Sequence, residues 1–302
     1  MIQSTGLFLG GPYEQPIPAK GMFMTRKQQI KLSLSALIII AVGALIYLFL
    51  WGKLFPYSPI FIGFTKYELS RTVIYVQNGA KFNDFQKIDS FPPLVEEFHQ
   101  LKFTKKPKIF IFRDTESYLQ RSITKARFNA YPNGSIVISP WAITEAEEGT
   151  ISLEIYLRHE LSHALLDENM GILAAYIYYP QWLLEGIAVY STNQMGTSWY
   201  PDKKETYRYI KAGNFIPPDF YKTRKEDGVV LNVPYRIAFI YSEFGCLVDY
   251  LIITWGKEKF LIYVKTLLHN SNHDKVFLDI YGIDFDTFLV NFKDFVQHSI
   301  NK

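Results

Sequence analysis

The sequence predicts an α+β domain behind one N-terminal transmembrane helix. Three observations lead there. An uncharged apolar run occupies residues 32–51. Short runs rich in β-branched and aromatic residues follow it, which is strand composition. From about residue 150 the apolar positions recur with helical spacing almost to the end. Strands first and helices after is the order expected of an α+β fold.

The bulk composition agrees with one catalytic-sized domain plus an appendage. The chain has 302 residues, 48% hydrophobic and 20% charged, enough to bury a sizeable core. A net charge of +3 is too mild for a nucleic-acid binder, and no Lys/Arg stripe interleaves with aromatics. The single cysteine, Cys246, excludes an intrachain disulfide and a thiolate-rich zinc site. Any metal must therefore be held by His and carboxylate. Cys246 lies in an apolar helical pattern and is expected as a small buried hydrophobe.

The first element is the apolar run, "LSLSALIIIAVGALIYLFLW". At about 1.5 Å per residue it spans the roughly 30 Å hydrocarbon core of a bilayer. Tyr47 and Trp51 stand near one end, where aromatic rings favour the interface. Lys20, Arg26, Lys27 and Lys31 precede it and only Lys53 follows closely. The positive-inside rule then assigns residues 1–29 to a cytoplasmic tail, 30–51 to a signal anchor and the remainder to the extracytoplasmic side. A cleaved signal peptide is the competing reading. Its apolar region would be about 7–15 residues followed by a small-residue cleavage site, and "LIYLFLWGKLF" offers none. "MTRKQQIK", from Met24, would make a more typical start than Met1.

Residues 52–66 read as a juxtamembrane linker, leaving 67–302 for the domain. Within it "TVIYVQ" (72–77) and "KIFIF" (108–112) are expected strands, and "PLVEEFHQL" (93–101) between them an expected helix. In "ARFNAYPNGSIVISPW" (126–141), Pro-Asn-Gly separates two extended runs, which predicts a hairpin. Helices are expected over 151–167, 181–192, 203–212, 234–255, 257–268 and 284–299.

The first of these helices contains "LRHELSHALL" (157–166). Leu153, Leu157, Leu161 and Leu165 form a core stripe, so the helix needs no metal to explain it. Two histidines four apart do need explaining. Residues i and i+4 share a helix face, so His159 and His163 can present ring nitrogens to one ion at about 2.0–2.1 Å. Glu160 is rotated one step away. It misses the ion but can reach a water held there and take its proton. A catalytic zinc needs a third protein ligand. Asp167 continues the histidine row but lies about 12 Å along the axis from His159, too far for one ion. A third histidine soon after the second is another known arrangement, but Leu166 and Asn169 stand there. "PQWLLEGIAVYS" (180–191) supplies a better candidate. Glu185 is the one carboxylate in an apolar stretch, where a buried charge requires a cation. Gly186 beside it would allow close helix–helix approach.

"LRHELSHALL" followed by "PQWLLEGIAVY" resembles the gluzincin branch of the zincin metallopeptidases, and is similar in particular to bacterial peptidase MA-like domains. The resemblance covers about residues 66–270. It implies a zincin-like fold, with a small sheet, active-site helices and a helical C-terminal part. It implies Zn2+ held by His159, His163 and Glu185, with Glu160 as catalytic base. It further implies that strand 134–140 is an edge strand lining the cleft, where an extended peptide could pair. Gluzincins usually add a tyrosine or histidine that hydrogen-bonds the oxyanion. The resemblance points to Tyr241, with Tyr235 as runner-up. Glu243 and Arg236 are expected at the surface or in local ion pairs. Arg158 could brace a carboxylate behind the first ligand or be an exposed helix charge. His99, His269, His273 and His298 fall outside any ligand spacing.

The expected function is hydrolysis of peptide bonds in a peptide or protein substrate by a membrane-anchored zinc metallopeptidase acting outside the cytoplasm. Two alternatives stand beside it. One is a catalytically silent zincin-like envelope protein serving as a binding or scaffold module. The other is a purely structural zinc, which would require a fourth protein ligand.

Overall fold

The computed structural model describes residues 25–171 and 177–299. Most of the expected cytoplasmic tail, the Met24 start and Lys20 lie outside them. The chain divides into two units, residues 1–46 and 47–302.

Helix α1, Arg26–Leu50, has no buried residue, and its mean hydropathy reaches 2.6. By length and composition it can cross a membrane. Arg236–Trp255 passes the same test with a mean hydropathy of 1.6, but 72% of that stretch is buried inside the domain. It is a core helix.

The domain is α+β. Its sheet has five strands: β1 (Phe64–Glu68), β2 (Val73–Gln77), β3 (Lys108–Ile111), β4 (Phe128–Ala130) and β5 (Ser135–Ile138), in the order β1-β2-β3-β5-β4. β2, β3 and β5 run parallel, and each outer strand joins antiparallel. Helices α2 (Phe85–Asp89) and α3 (Phe91–His99) make the crossover from β2 to β3. Asp89 fastens that crossover. Its Oδ1 accepts from the backbone N–H groups of Arg71 and Thr72, both at 2.8 Å, and from the Thr72 hydroxyl at 2.9 Å. Helices α4 (Thr115–Arg121) and α5 (Pro140–Glu147) flank the β4–β5 hairpin. Helix α6, Leu153–Met170, then lays Leu153, Leu157, Leu161 and Leu165 on the core formed by Ile74, Ile109, Ile136 and Ile138.

The C-terminal half is helical: α7 (Gln181–Ser191), α8 (Lys203–Lys211), α9 (Arg236–Trp255), α10 (Lys257–Leu267), α11 (His273–Tyr281) and α12 (Phe285–Ser299). Their second core centres on α9 and contains Cys246, fully buried as expected.

Three expectations need correction. Residues 52–66 are not a free linker. They hold a short 3-10 helix, Phe55–Tyr57, and the start of β1. Phe55 is fully buried and touches the rings of Phe61, Phe64, Phe110 and Phe112. Strand 134–140 is not an edge. β5 is covered on both faces and lies between β3 and β4. An unbroken "SIVI" run is what an interior strand requires, because neither of its faces meets water. The edge belongs to β4, the hairpin partner that carries Asn129. Glu243, finally, is neither exposed nor ion-paired. It is fully buried on α9, where both carboxyl oxygens face the Ile216 N–H at 3.3 Å. Burial pushes its carboxyl well above the usual range, so it is held neutral.

Candidate metal centre

Helix α6 begins at a Ser152 cap, whose Oγ accepts from the Ile155 N–H at 3.3 Å. His159 and His163 follow on the side of the helix turned from the leucine stripe. Helix α7 brings Glu185 across. It approaches α9 at Gly186, where a Cβ would lie only 2.7 Å from the Phe244 carbonyl oxygen. Gly245 answers it from α9, for a Cβ there would meet Val189 at 2.9 Å. This contact allows the chain beside Glu185 to lie deep in the domain.

The three side chains converge. His159 Nε2 and His163 Nε2 are 3.0 Å apart, and Glu185 Oε2 is 3.4 Å from each. His159 and Glu185 are each 5% exposed, and His163 is partly buried. Among the described residues this is the group of three or more His, Cys, Asp or Glu that could hold a metal ion. The spacing fits one. A tetrahedral ion with ligands at about 2.0–2.1 Å separates those ligands by about 3.3 Å.

The His159 tautomer and the charge of Glu185 also fit. His159 Nδ1 is 2.8 Å from Gln194 Oε1, and Gln194 is 1% exposed. An amide oxygen only accepts, so the ring carries its proton on Nδ1 and turns the Nε2 lone pair toward the centre. Burial alone would favour a neutral Glu185. The neighbouring His163, the close approach of both imidazoles and the Lys222 ammonium overcome it and hold the carboxyl well below the usual range. Lys222 Nζ lies 3.1 Å from Glu185 Oε1. The donor set is thus two imidazole nitrogens and one carboxylate oxygen.

Glu160 is outside this triad and beside it. Its Oε2 accepts from the Ala130 N–H of β4 at 2.7 Å. Both line a cavity of about 540 Å³ between β4, α6, α7 and α9. Tyr241 lines the same cavity. Its ring lies parallel to that of His159 with centroids 6.0 Å apart, and its oxygen accepts from the Tyr221 hydroxyl at 3.1 Å. Tyr235 is 54% exposed and lies outside the cavity wall. Asp167 reaches the wall but not the donor group, and burial above all raises its carboxyl to about 6.

The remaining charged candidates have structural partners. Arg158 pairs with Glu154 at 3.2 Å and donates to the Ser191 carbonyl at 3.3 Å, tying α6 to the end of α7. Arg236 binds the Val229 carbonyl at 3.0 Å and sits 3.5 Å from Glu226, a local pairing as expected. His99 is buried with its Nε2 2.9 Å from the Ser162 hydroxyl and is not one of the donor group. Sequence spacing did not reveal Gln194, Lys222 or the β4 backbone. All three reach the site from loops or a strand far along the chain, with no periodic signal.

No family model matches the chain, and no curated protein matches it.

Proposed function

We propose that the chain is a membrane-anchored zinc metallopeptidase of the gluzincin type. The observation that carries this reading is the convergence of His159, His163 and Glu185 beside a carboxylate, Glu160, that is free of the donor triad. Two imidazoles and one carboxylate, with no thiolate, suit zinc and leave a fourth position open. Bound there, zinc supplies Lewis acidity and brings the pKa of a water to about 7.

Glu160 accepts a proton from the attacking water and returns it to the leaving amine. Its hydrogen bond to Ala130 keeps the carboxylate pointed across the cavity. Gln194 fixes the ring and tautomer of His159. Tyr241 offers a hydroxyl to the developing oxyanion. An extended peptide adds to β4, the outer strand on that side of the sheet. Helix α1 anchors the chain, with its N-terminus in the cytoplasm and the domain outside. Among the described residues no fourth donor joins the triad, which favours an open site over a closed structural one.

Two measurements on the full-length chain in detergent test this. Metal analysis is expected to find about one zinc per chain, lost in the His159→Ala, His163→Ala double variant. Unchanged zinc in that variant sinks the site. Glu160→Gln is expected to keep its zinc and lose about 10²–10⁴ in rate on casein, whereas Glu185→Ala loses the metal itself. Comparing envelope proteomes of cells carrying wild-type and Glu160→Gln protein avoids dependence on casein. Identical proteomes would replace the peptidase reading with that of a binding module.

A further inference from the structure

Glu185 presents its two oxygens to different partners. Oε2 faces both histidine nitrogens at 3.4 Å. Oε1 faces the ammonium of Lys222 at 3.1 Å. We propose that Lys222 is a positioning residue of the metal centre: by holding Oε1 it makes Glu185 a one-oxygen ligand. This role rests on the metal-centre reading above and extends it to a residue outside the motifs.

Lys222 is built into place. It lies in the segment between α8 and α9, at a φ of +58°, a left-handed conformation that a lysine does not favour. The Glu226 carboxylate holds that turn by accepting the Lys222 N–H at 2.9 Å. Tyr221, next to it, is 6% exposed and bonded to Tyr241. From this turn the lysine side chain reaches Glu185 and also Gln181 Oε1 at 3.2 Å, on the first residue of α7. Its ammonium sits 5.1 Å from the centroid of the Tyr221 ring. The lysine thus ties the segment after α8 to the helix that delivers the ligand.

The consequence concerns coordination number. A carboxylate free to rotate can give a divalent ion both oxygens and fill the position a catalytic site keeps open. An ammonium on Oε1 opposes that in two ways. It occupies the lone pair that faces it, and it repels a cation drawn toward that oxygen. Charge neutralisation alone does not explain the arrangement, because a lysine placed beside a divalent ion works against binding. One-oxygen ligation explains why it is tolerated.

Cobalt(II) in place of zinc reads this directly, since its visible absorption is intense at four coordination and weak at five or six. The full-length chain in detergent is loaded with cobalt as wild type, Lys222→Met, Lys222→Gln and Lys222→Arg. Thermal melts of the metal-free forms accompany the spectra. The melts should barely differ, because the lysine side chain is 48% exposed. Met and Gln are expected to lower the visible absorption severalfold, and Arg, which keeps a cationic donor, to retain it. Met and Gln should also change cobalt affinity by about 10–100-fold, the usual effect of losing a partner behind a ligand. Cobalt bound by Met or Gln with the wild-type spectrum and affinity overturns the role of Lys222 alone. Wild-type protein that binds no cobalt overturns the metal centre and this role with it.

Discussion

Glu185 and Glu243 are both glutamates buried on helices, and the domain treats their carboxyl groups in opposite ways. Glu185 faces two imidazoles and an ammonium, so it stays ionised despite its burial. Glu243 faces one backbone N–H, and burial keeps it protonated. The second case has a pH signature. A carboxyl raised in the folded state binds its proton there while the unfolded chain releases it, so stability is full below the unfolded pKa of about 4.3 and falls as pH rises through the folded value. Glu243→Gln is neutral at every pH and keeps an acceptor for Ile216. It is expected to leave stability near wild type at pH 4 and to raise it at pH 7, as measured by urea unfolding at the two pH values. Equal stability shifts at both would mean that Glu243 is ionised in the fold.

Helices α7 and α9 owe their close contact to Gly186 and Gly245, whose missing Cβ atoms lie against the opposite helix. Gly186→Ala would gain about 0.5–1 kcal/mol in helix propensity. The added methyl meets backbone at 2.7 Å, which cannot move aside cheaply. Overpacking of this kind typically costs about 1–3 kcal/mol, so net destabilisation is expected. Because Glu185 is the adjacent residue, zinc affinity should fall with it. A chelator competition alongside urea unfolding measures both, and a more stable variant with unchanged affinity would show the contact to be loose. At the other end of the domain, the 3-10 helix before β1 inserts Phe55 among four rings. Phe55→Ala is expected to cost roughly 3–5 kcal/mol by the same unfolding measurement. A shift within experimental error would restore residues 52–66 to the status of a linker.

At the scale of the whole molecule, one apolar helix without a buried residue and one largely buried one pass the same test of length and hydropathy. Burial separates them. A helix with no buried residue over so apolar a run needs another apolar environment, and for α1 a bilayer is proposed. The charges around it set the expected direction. Lys20, Arg26, Lys27 and Lys31 precede the apolar run, so a periplasm- or surface-active reporter fused after residue 302 should be active and a cytoplasmic one silent. The reverse result would reject the N-in orientation.

What the sequence determined by itself was whatever depends on neighbours within a few turns. The i,i+4 spacing put His159 and His163 on one face, the stripe of leucines set that helix against the sheet, and α1 was legible from its run of apolar residues alone. Glu185 could be singled out because a lone carboxylate in "WLLEGIAV" is costly without a partner, although its meeting with the histidines depended on packing. Tertiary structure alone decided which strand became the edge, because strand order is set by pairing between distant segments. β5 was drawn between β3 and β4 by its two apolar faces. It also decided the neutral burial of Glu243, the support of His159 by Gln194 and the hold of Lys222 on Glu185. Each of these is a single contact between residues separated by dozens of positions, or delivered by an irregular segment. A periodic pattern carries no record of such contacts, because one polar residue in a loop looks the same whether it meets water or a ligand.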